Sequence, residues 1–360
     1  MEKILTIVIP TYNMQDYLHR CLDSLIVSEE QLAKLEVLVV NDGSKDNSSA
    51  IAHEYQDKCP VTFRVIDKEN GNYGSCVNEA LKFATGKYIK LLDADDWYDT
   101  ANLSTLISRL QNTDVDAAIT DYSRYFGGSN IKHADNLFKK SNYIYSLEEL
   151  LQENERGVKN VQMHSILYKR ACFDGIDYHQ TEGISYTDKE WNLMPWINVD
   201  TILYLPLNVY QYNFEREGQT CDMNVFYKKM PEQFIGISNC LSKAEKLYPN
   251  MNELHKKLLF ESIGDRINEL YHTVIVTMKE NPQYLIDFDK ILVSDYPKYA
   301  LYAATQVMHP WAFKYHFIKH WRERGYAPIP LTIRVGYFFV TKSIGAFKRL
   351  QSLFGEKDVK

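Results

Sequence analysis

The chain has 360 residues, 45% hydrophobic and 24% charged, with 16 glycines and 11 prolines, which excludes disorder and collagen-like repeats. Its 41 lysines and arginines against 47 aspartates and glutamates leave a net charge of −6, which excludes a general electrostatic footprint for nucleic acid, so any phosphate chemistry must be local. The six cysteines, Cys21, Cys59, Cys76, Cys172, Cys221 and Cys240, are scattered with no C-x-x-C, which argues against a zinc site or a disulfide scaffold and fits a reducing, cytoplasmic setting.

In chain order, the apolar run Ile4 to Ile9 is too short for the core of an export signal and stops at Pro10, so it predicts a strand. Up to about residue 123, short β-branched runs alternate with amphipathic stretches, the mark of βαβ units and a mostly parallel sheet. The runs are Leu5 to Ile9, Leu35 to Val40, Val61 to Ile66, Tyr88 to Leu92 and Ala117 to Thr120. Between them Leu18, Cys21, Leu22 and Leu25 recur at helical spacing, and Ile51 and Tyr55 follow the capping candidates Asp46, Asn47 and Ser48. Residues 124–160 read as loop plus a helix from Leu147. Strand patterns return at Ser165 to Tyr168, Thr201 to Leu205 and Val209 to Phe214, around a helix from Asp188 to Trp196.

A catalytic unit is expected over 1–220 and a helical C-terminal domain over 221–360. The last fifty residues interleave Trp311, Trp321, Tyr337, Phe338, Phe339 and Phe347 with Arg322, Arg324, Arg334, Lys342, Lys348 and Arg349. That mixture suits peripheral contact with an anionic membrane, and equally a helix with a solvated basic face. No run reaches the roughly 18 uninterrupted apolar residues of a spanning helix.

The chemistry concentrates where strands end, since ligands of open α/β sheets bind outside the carboxyl ends of their strands. Leu91-Leu92-Asp93-Ala94-Asp95-Asp96-Trp97 sets three carboxylates there. In an extended segment Asp93 and Asp95 point the same way, and two such charges repel unless a cation neutralises them. A hard ion, Mg2+ or Mn2+, accepts these oxygens and also holds a diphosphate. An N-capped turn would carry the same letters. After the first strand, Pro10 and Tyr12 offer a rigid end and a ring able to stack on a base. After the second, Asp42 can accept from a uracil or ribose edge. Asn70 and Asn78 sit in and behind the loop that enters the next helix.

The segments TIVIPTYN, VVNDGSKDNSS, NGNYGSCVNEAL and GKYIKLLDADDWYD, in this order over about residues 3–100, resemble glycosyltransferase family 2, the large inverting group with the GT-A fold. The resemblance implies an α/β GT-A domain, Rossmann-like with a mostly parallel sheet. It puts Pro10, Tyr12, Asp42, Asn70 and Asn78 on nucleotide-pocket positions, Asp93 near ribose and metal, and Asp95 on the metal that bridges the diphosphate. Many relatives carry Arg immediately before the asparagine at Asn78, where Val77 stands here.

Inverting transfer needs a carboxylate to take the acceptor proton from across the sugar. Asp188 aligns with the second acid of the Glu-Asp pair that relatives carry, while Thr187 replaces the first, and Glu190 is the reserve candidate. A helix N-terminal charge is the plain alternative for Asp188. Within Tyr210 to Thr220, which resembles the strand and loop completing many such sites, Arg216 is implied to steady the departing diphosphate, unless it pairs with Glu215 or Glu217. His164 is a candidate for the acceptor side, or a structural histidine.

The expectation is a metal-dependent inverting glycosyltransferase that moves a sugar from a UDP-linked donor to a glycan or lipid-linked acceptor in surface-polysaccharide or teichoic-acid assembly. A sugar-nucleotide pyrophosphorylase would want a Gly-rich basic loop after the first strand, and Pro10 to Asn13 has neither feature. A dehydrogenase would want G-x-G-x-x-G there. A nucleotide-sugar-binding protein without turnover is the non-enzyme alternative.

Overall fold

A computed structural model of the chain describes residues 2–126, 129–133, 138–214, 222–305, 316–330, 332, 333 and 335. The chain divides into two compact units, 1–259 and 260–360.

In the first unit β1 (Leu5–Thr11) is buried along its whole length and β2 (Leu35–Asn41) nearly so. Unbroken Val, Ile and Leu runs of this kind belong to strands covered on both faces. α1 (Gln15–Asp23) and the short α2 (Glu29–Leu32) connect them. α3 (Ser48–Lys58) leads to β3 (Phe63–Asp67), and α4 (Asn72–Phe83) leads to β4 (Tyr88–Leu91). The four strands pair in parallel in the order β3-β2-β1-β4. Pro10 pairs with Val40 but lies beyond the last β1–β4 pair, Val8 with Leu91, so its missing N–H costs no bond to β4. Between β1 and β4 the strand order reverses, and the crevice beyond their carboxyl ends is where an open α/β sheet binds ligand.

The rest of the ten-stranded sheet is mixed. It comprises β5 (Trp97–Tyr98), β6 (Ala117–Phe126), β7 (Ser129–His133), β8 (Tyr143–Ser146), β9 (Ile166–Lys169) and β10 (Thr201–Asn213). β10 runs parallel to β6, whereas β9 is antiparallel to β4 and β6. α5 (Thr100–Gln111) is capped by Asp99, and α6 (Leu147–Lys159) opens with a reciprocal Ser146–Glu149 capping box, which explains its start at Leu147. α7 (Asp188–Leu193) is shorter than its pattern suggests, because Pro195 opens a separate 3-10 turn. The two strand patterns at 201–205 and 209–214 are one strand, β10, whose register shifts around Pro206. Alternate residues of β1 feed different cores: Ile7 and Ile9 pack with Leu18, Leu22 and Leu103, and Val8 packs with Val40, Leu91 and Trp191.

α8 (Met223–Lys228) and α9 (Met230–Leu247) belong to the first unit, and the division falls inside α10 (Glu253–Tyr271). The sequence change near 220 marks the turn to helical pattern, but α9 stays with the first unit, tied to α7 through the Lys243–Glu190 ion pair at 2.7 Å.

In the second unit α11 (Gln283–Asp295), α12 (Pro297–Thr305) and α13 (Phe317–Glu323) bury Leu285, Phe288, Leu292, Tyr299 and Trp321. Asp289, fully buried, takes a bidentate pair from Arg322 and a bond from the Tyr271 hydroxyl. Trp321 and Arg322, two members of the aromatic and basic tail, therefore face the interior of this unit. Trp311, Arg334, Tyr337, Phe338, Phe339, Lys342, Phe347, Lys348 and Arg349 lie outside the described residues. No helix among the described residues is long and apolar enough to cross a membrane.

Candidate active site

At the carboxyl ends of β1 and β2 two loops are stitched together by their polar side chains. Asn13, with φ of 54°, accepts from the Lys45 amide, Ser44 takes the Asn13 amide, and Ser48 takes the Met14 amide. Asp46 and Gln15 exchange further bonds with the facing backbone. Gly43 has φ of +72°, and a Cβ there would sit 3.3 Å from both the Asn70 amide nitrogen and the Lys68 carbonyl oxygen, a place for glycine. The loops wall an open cleft of about 540 Å3 lined by Tyr12, Gly43, Asp67, Lys68 and Asn70 among others, within the size range of small-molecule sites. The Tyr12 ring is 44% exposed and available for stacking.

Asp42 lies behind this wall. One carboxylate oxygen takes the Lys68 ammonium at 2.7 Å and the Gly71 amide at 2.9 Å; the other takes the Asn72 amide at 2.8 Å. Asn70 donates to the Asp42 carbonyl at 3.0 Å. Asp42 thus fixes the entry of α4, a use its place in the sequence does not disclose. Asn78 is likewise engaged: its amide donates to Gln180 O at 2.8 Å and to Glu182 at 2.9 Å, and accepts from Gln180 N at 2.7 Å. It lines a second cleft, with Tyr178 and His179, rather than the first. One turn before it, a Cβ on Gly74 would stand 2.0 Å from the Thr181 carbonyl oxygen. Gly74 and Asn78 together seat the 178–182 loop on α4.

The acidic segment is a turn rather than an extended strand. The Asp96 amide donates to Asp93 O at 3.0 Å, closing a four-residue turn over Ala94 and Asp95, so the alternation that would align Asp93 with Asp95 does not apply. Asp96 instead turns inward and is 1% exposed. Its carboxylate accepts from the Tyr210 hydroxyl at 2.5 Å and the Asn213 amide at 2.7 Å, tying the turn to β10. Burial, then the Asp95 and Asp93 charges, push its pKa well above the usual carboxylate range. Among the described residues, Asp93, Asp96 and His164 form the one group of three metal-ligating side chains whose donor atoms all lie within 4.8 Å of one another. Asp95 is outside that group.

His164 is held by aromatic contacts, stacked on Tyr122 and Tyr212 with Tyr210 edge-on. Burial, then the charges of Lys90, Lys189 and Arg124, lower its pKa to about 3, so the ring is neutral at ordinary pH. Lys90, fully buried in β4, donates to the carbonyls of His164 at 2.8 Å and Ile166 at 3.2 Å, and burial lowers its pKa to about 7.

Asp188 opens α7 and is partly exposed, with Lys189 4.0 Å away. The residue two before it, Tyr186, has φ of 61°, a conformation that costs of order 1–3 kcal/mol outside glycine and clusters at functional sites. Tyr73 on α4 donates to Asp93 at 3.0 Å. Burial, then Asp93, then more weakly Asp188 raise the Tyr73 pKa. Glu190, the reserve candidate, is a buried structural acid: it pairs with Lys243 and accepts from the Thr181 amide at 3.0 Å. Arg216 lies outside the described residues. No individual role follows from sequence for Tyr73, Asp96, Tyr210 or Lys90, although Tyr73 lies in a polar loop, Asp96 is one of three carboxylates at its strand end and Tyr210 opens the segment that resembles a site-completing strand.

Residues 6–176 match the model of Glycosyl transferase family 2. The chain carries a glycosyltransferase family 2 domain. Among curated relatives, the chain is 26% identical over 221 residues to glycosyltransferase GlyA of Streptococcus pneumoniae, covering 59% of this chain and 31% of GlyA. It is 24% identical over 284 residues to poly(ribitol-phosphate) beta-N-acetylglucosaminyltransferase TarS of Staphylococcus aureus, covering 78% of this chain and 48% of TarS. The chain thus spans between about a third and a half of the length of these two relatives. The crystal structure of S. aureus TarS 1-349 in complex with UDP-GlcNAc superposes with a TM-score of 0.53 at 19% identity, over 85% of this chain and 93% of that one. The α/β architecture is accordingly the GT-A fold of family 2.

Proposed function

We propose that this family 2 protein is a metal-dependent inverting glycosyltransferase that uses a UDP-linked sugar, of the hexose or N-acetylhexosamine class, and a glycan or lipid-linked acceptor of a cell-surface polymer. TarS, named as an N-acetylglucosaminyltransferase and solved with UDP-GlcNAc, supports the donor class. The observation that carries the reading is that Asp93, just past the end of β4 where an open α/β sheet binds ligand, is held by the Tyr73 hydroxyl at 3.0 Å and grouped with Asp96 and His164, side chains able to ligate a metal. Inverting transfer requires such a carboxylate for the metal and a second one, here Asp188, as base.

In this reading the base stacks on Tyr12 in the open cleft, and Asp93 and Asp95 face the cation and the diphosphate. The side chains present fit such a group, being hard carboxylates with a neutral imidazole beside them. When bound, the cation would stabilise the charge that develops on the leaving diphosphate. The acceptor hydroxyl oxygen attacks the anomeric carbon, its proton passes to Asp188, and the bond from that carbon to the diphosphate oxygen breaks on the opposite side. Asp42 and Asn78 act by holding the loops around the donor rather than by reading the base. Peripheral membrane contact through the C-terminal tail is part of the proposal and is tested by liposome sedimentation of the full chain.

Calorimetric titration with UDP, GDP and their sugar conjugates, in Mn2+ or in EDTA, tests the reading without any acceptor. Metal-dependent binding of one nucleotide family, lost in Asp95→Ala, is expected. Binding of no nucleotide sugar under either condition would overturn it.

A further inference from the structure

The three-donor group contains a residue that a D-x-D reading does not supply. His164 precedes β9 in a segment whose carbonyls are gripped by Lys90. Its ring is fixed between Tyr122, at 5.2 Å and 27°, and Tyr212, at 4.5 Å and 22°, with Tyr210 at 4.8 Å and 81°. Despite that confinement its Nδ1 is shielded from solvent and has no hydrogen-bond partner. Leaving a buried polar atom unsatisfied costs about 1–3 kcal/mol, and in native proteins such an atom calls for an explanation.

A ligand supplies one. A ring nitrogen of His164 and one carboxylate oxygen each from Asp93 and Asp96 lie within 4.8 Å of one another. A divalent ion with bonds of about 2.0–2.2 Å sets neighbouring donors roughly 3–3.5 Å apart, so side-chain shifts of about an ångström close the site. The partners of a ligand set are also present. Tyr73 donates to Asp93, and Tyr210 and the Asn213 amide donate to Asp96, as the groups that orient metal-binding carboxylates do.

We propose that the cation of the donor site is bound through His164 together with Asp93 and Asp96, and that the imidazole makes the site prefer Mn2+ to Mg2+. This rests on the transferase reading for the cation's role, with Asp93 the carboxylate common to both ligand sets. The preference follows from ligand chemistry: Mg2+ keeps to oxygen donors, whereas imidazole favours the first-row transition metals.

The test is pulsed electron paramagnetic resonance of the full chain loaded with Mn2+ alone, then with UDP added. Coupling of the manganese electrons to a nitrogen nucleus is expected in the native chain, changing to the 15N pattern when histidine is 15N-labelled, and absent in His164→Gln. Titration should show Mn2+ bound at least tenfold more weakly by His164→Gln, with Mg2+ affinity changed by less than about threefold. Should His164→Gln fail to fold, the labelled native chain and Asp93→Asn, which opens the same group, carry the test. Mn2+ bound without nitrogen coupling, or with coupling unchanged in His164→Gln, overturns the inference. UDP binding in the Mn2+ samples reports separately on the donor reading, so metal bound through nitrogen with no nucleotide bound would sink that reading and leave the ligand assignment standing.

Discussion

Asp188 is partly exposed at the start of α7, and its charge is among those that raise the Tyr73 pKa, so it is the proposed general base. Asp188→Asn keeps the size and the helix start but cannot take a proton, so transfer should fall by about 10²- to 10⁴-fold. UDP affinity in Mn2+ should stay within about twofold of the native chain. Product formation and calorimetry together check this; full transfer by the purified variant would remove Asp188 from the mechanism. Asp93 and Asp188 can be named as candidates from sequence because each ends or opens an element within a short motif. Asp96 stands there among the three carboxylates and His164 as an acceptor-side or structural histidine, but their grouping with Asp93 is not legible, since it depends on Tyr210 and Asn213, more than a hundred residues from the turn, and on aromatic rings gathered out of β6 and β10. The turn at Asp93 to Asp96 also defeats the strand alternation on which the Asp93–Asp95 pairing was argued. Local spacing cannot report a chain reversal whose inward carboxylate is anchored by a distant strand.

α4 is the element on which the 178–182 loop rests. A methyl group at Gly74 would meet the Thr181 backbone oxygen at 2.0 Å, and no flexible side chain can yield there. Gly74→Ala should therefore displace the 178–182 loop, costing about 2–4 kcal/mol, by the scale of buried overpacking and strain. A fall of several degrees in Tm is expected, with a larger loss of transfer than of UDP binding, because the nucleotide cleft lies on the other side of Lys68. An unchanged Tm and transfer rate would show that the loop is not seated on Gly74. A second strut comes from α9, where Lys243 reaches the buried Glu190 at 2.7 Å and also donates to His179 O. Lys243→Met leaves that acid buried without its cation. Because Lys243 is itself 24% exposed, a cost of about 2–3 kcal/mol is expected, below that of breaking a fully buried pair. Denaturant titration of Lys243→Met measures it, and Lys243→Met with Glu190→Gln should recover part of the loss. The parallel strands β1 to β4 were legible because unbroken apolar runs separated by helical spacing admit few alternatives. The antiparallel half was less so, since β9 and β10 are defined by pairing with distant strands rather than by a period of their own.

Whole-molecule stability carries the signature of one buried charge. Lys90 is fully enclosed under the site and has two carbonyl acceptors among its contacts, so burial lowers its pKa to about 7 from an unfolded value of 10.5. Below about pH 7 the lysine is protonated in both states, and the folded chain bears the full cost of the enclosed ammonium. Between about 7 and 10.5 the unfolded chain binds more protons than the folded one, so stability rises with pH, by at most about 1.4 kcal/mol per unit for one proton. Above 10.5 neither state is charged and this contribution is constant. Lys90→Met should abolish the rise, so the difference in unfolding free energy between native and variant chains should grow in favour of the native chain from pH 7 to 10. Because Met leaves the carbonyls of His164 and Ile166 without their donor, the variant should also hold His164 less firmly, and its Mn2+ affinity should fall while UDP binding in EDTA does not. Parallel stability curves for the two chains across that range would mean that Lys90 keeps its charge in the folded state, stabilised by its two carbonyls more than burial opposes it.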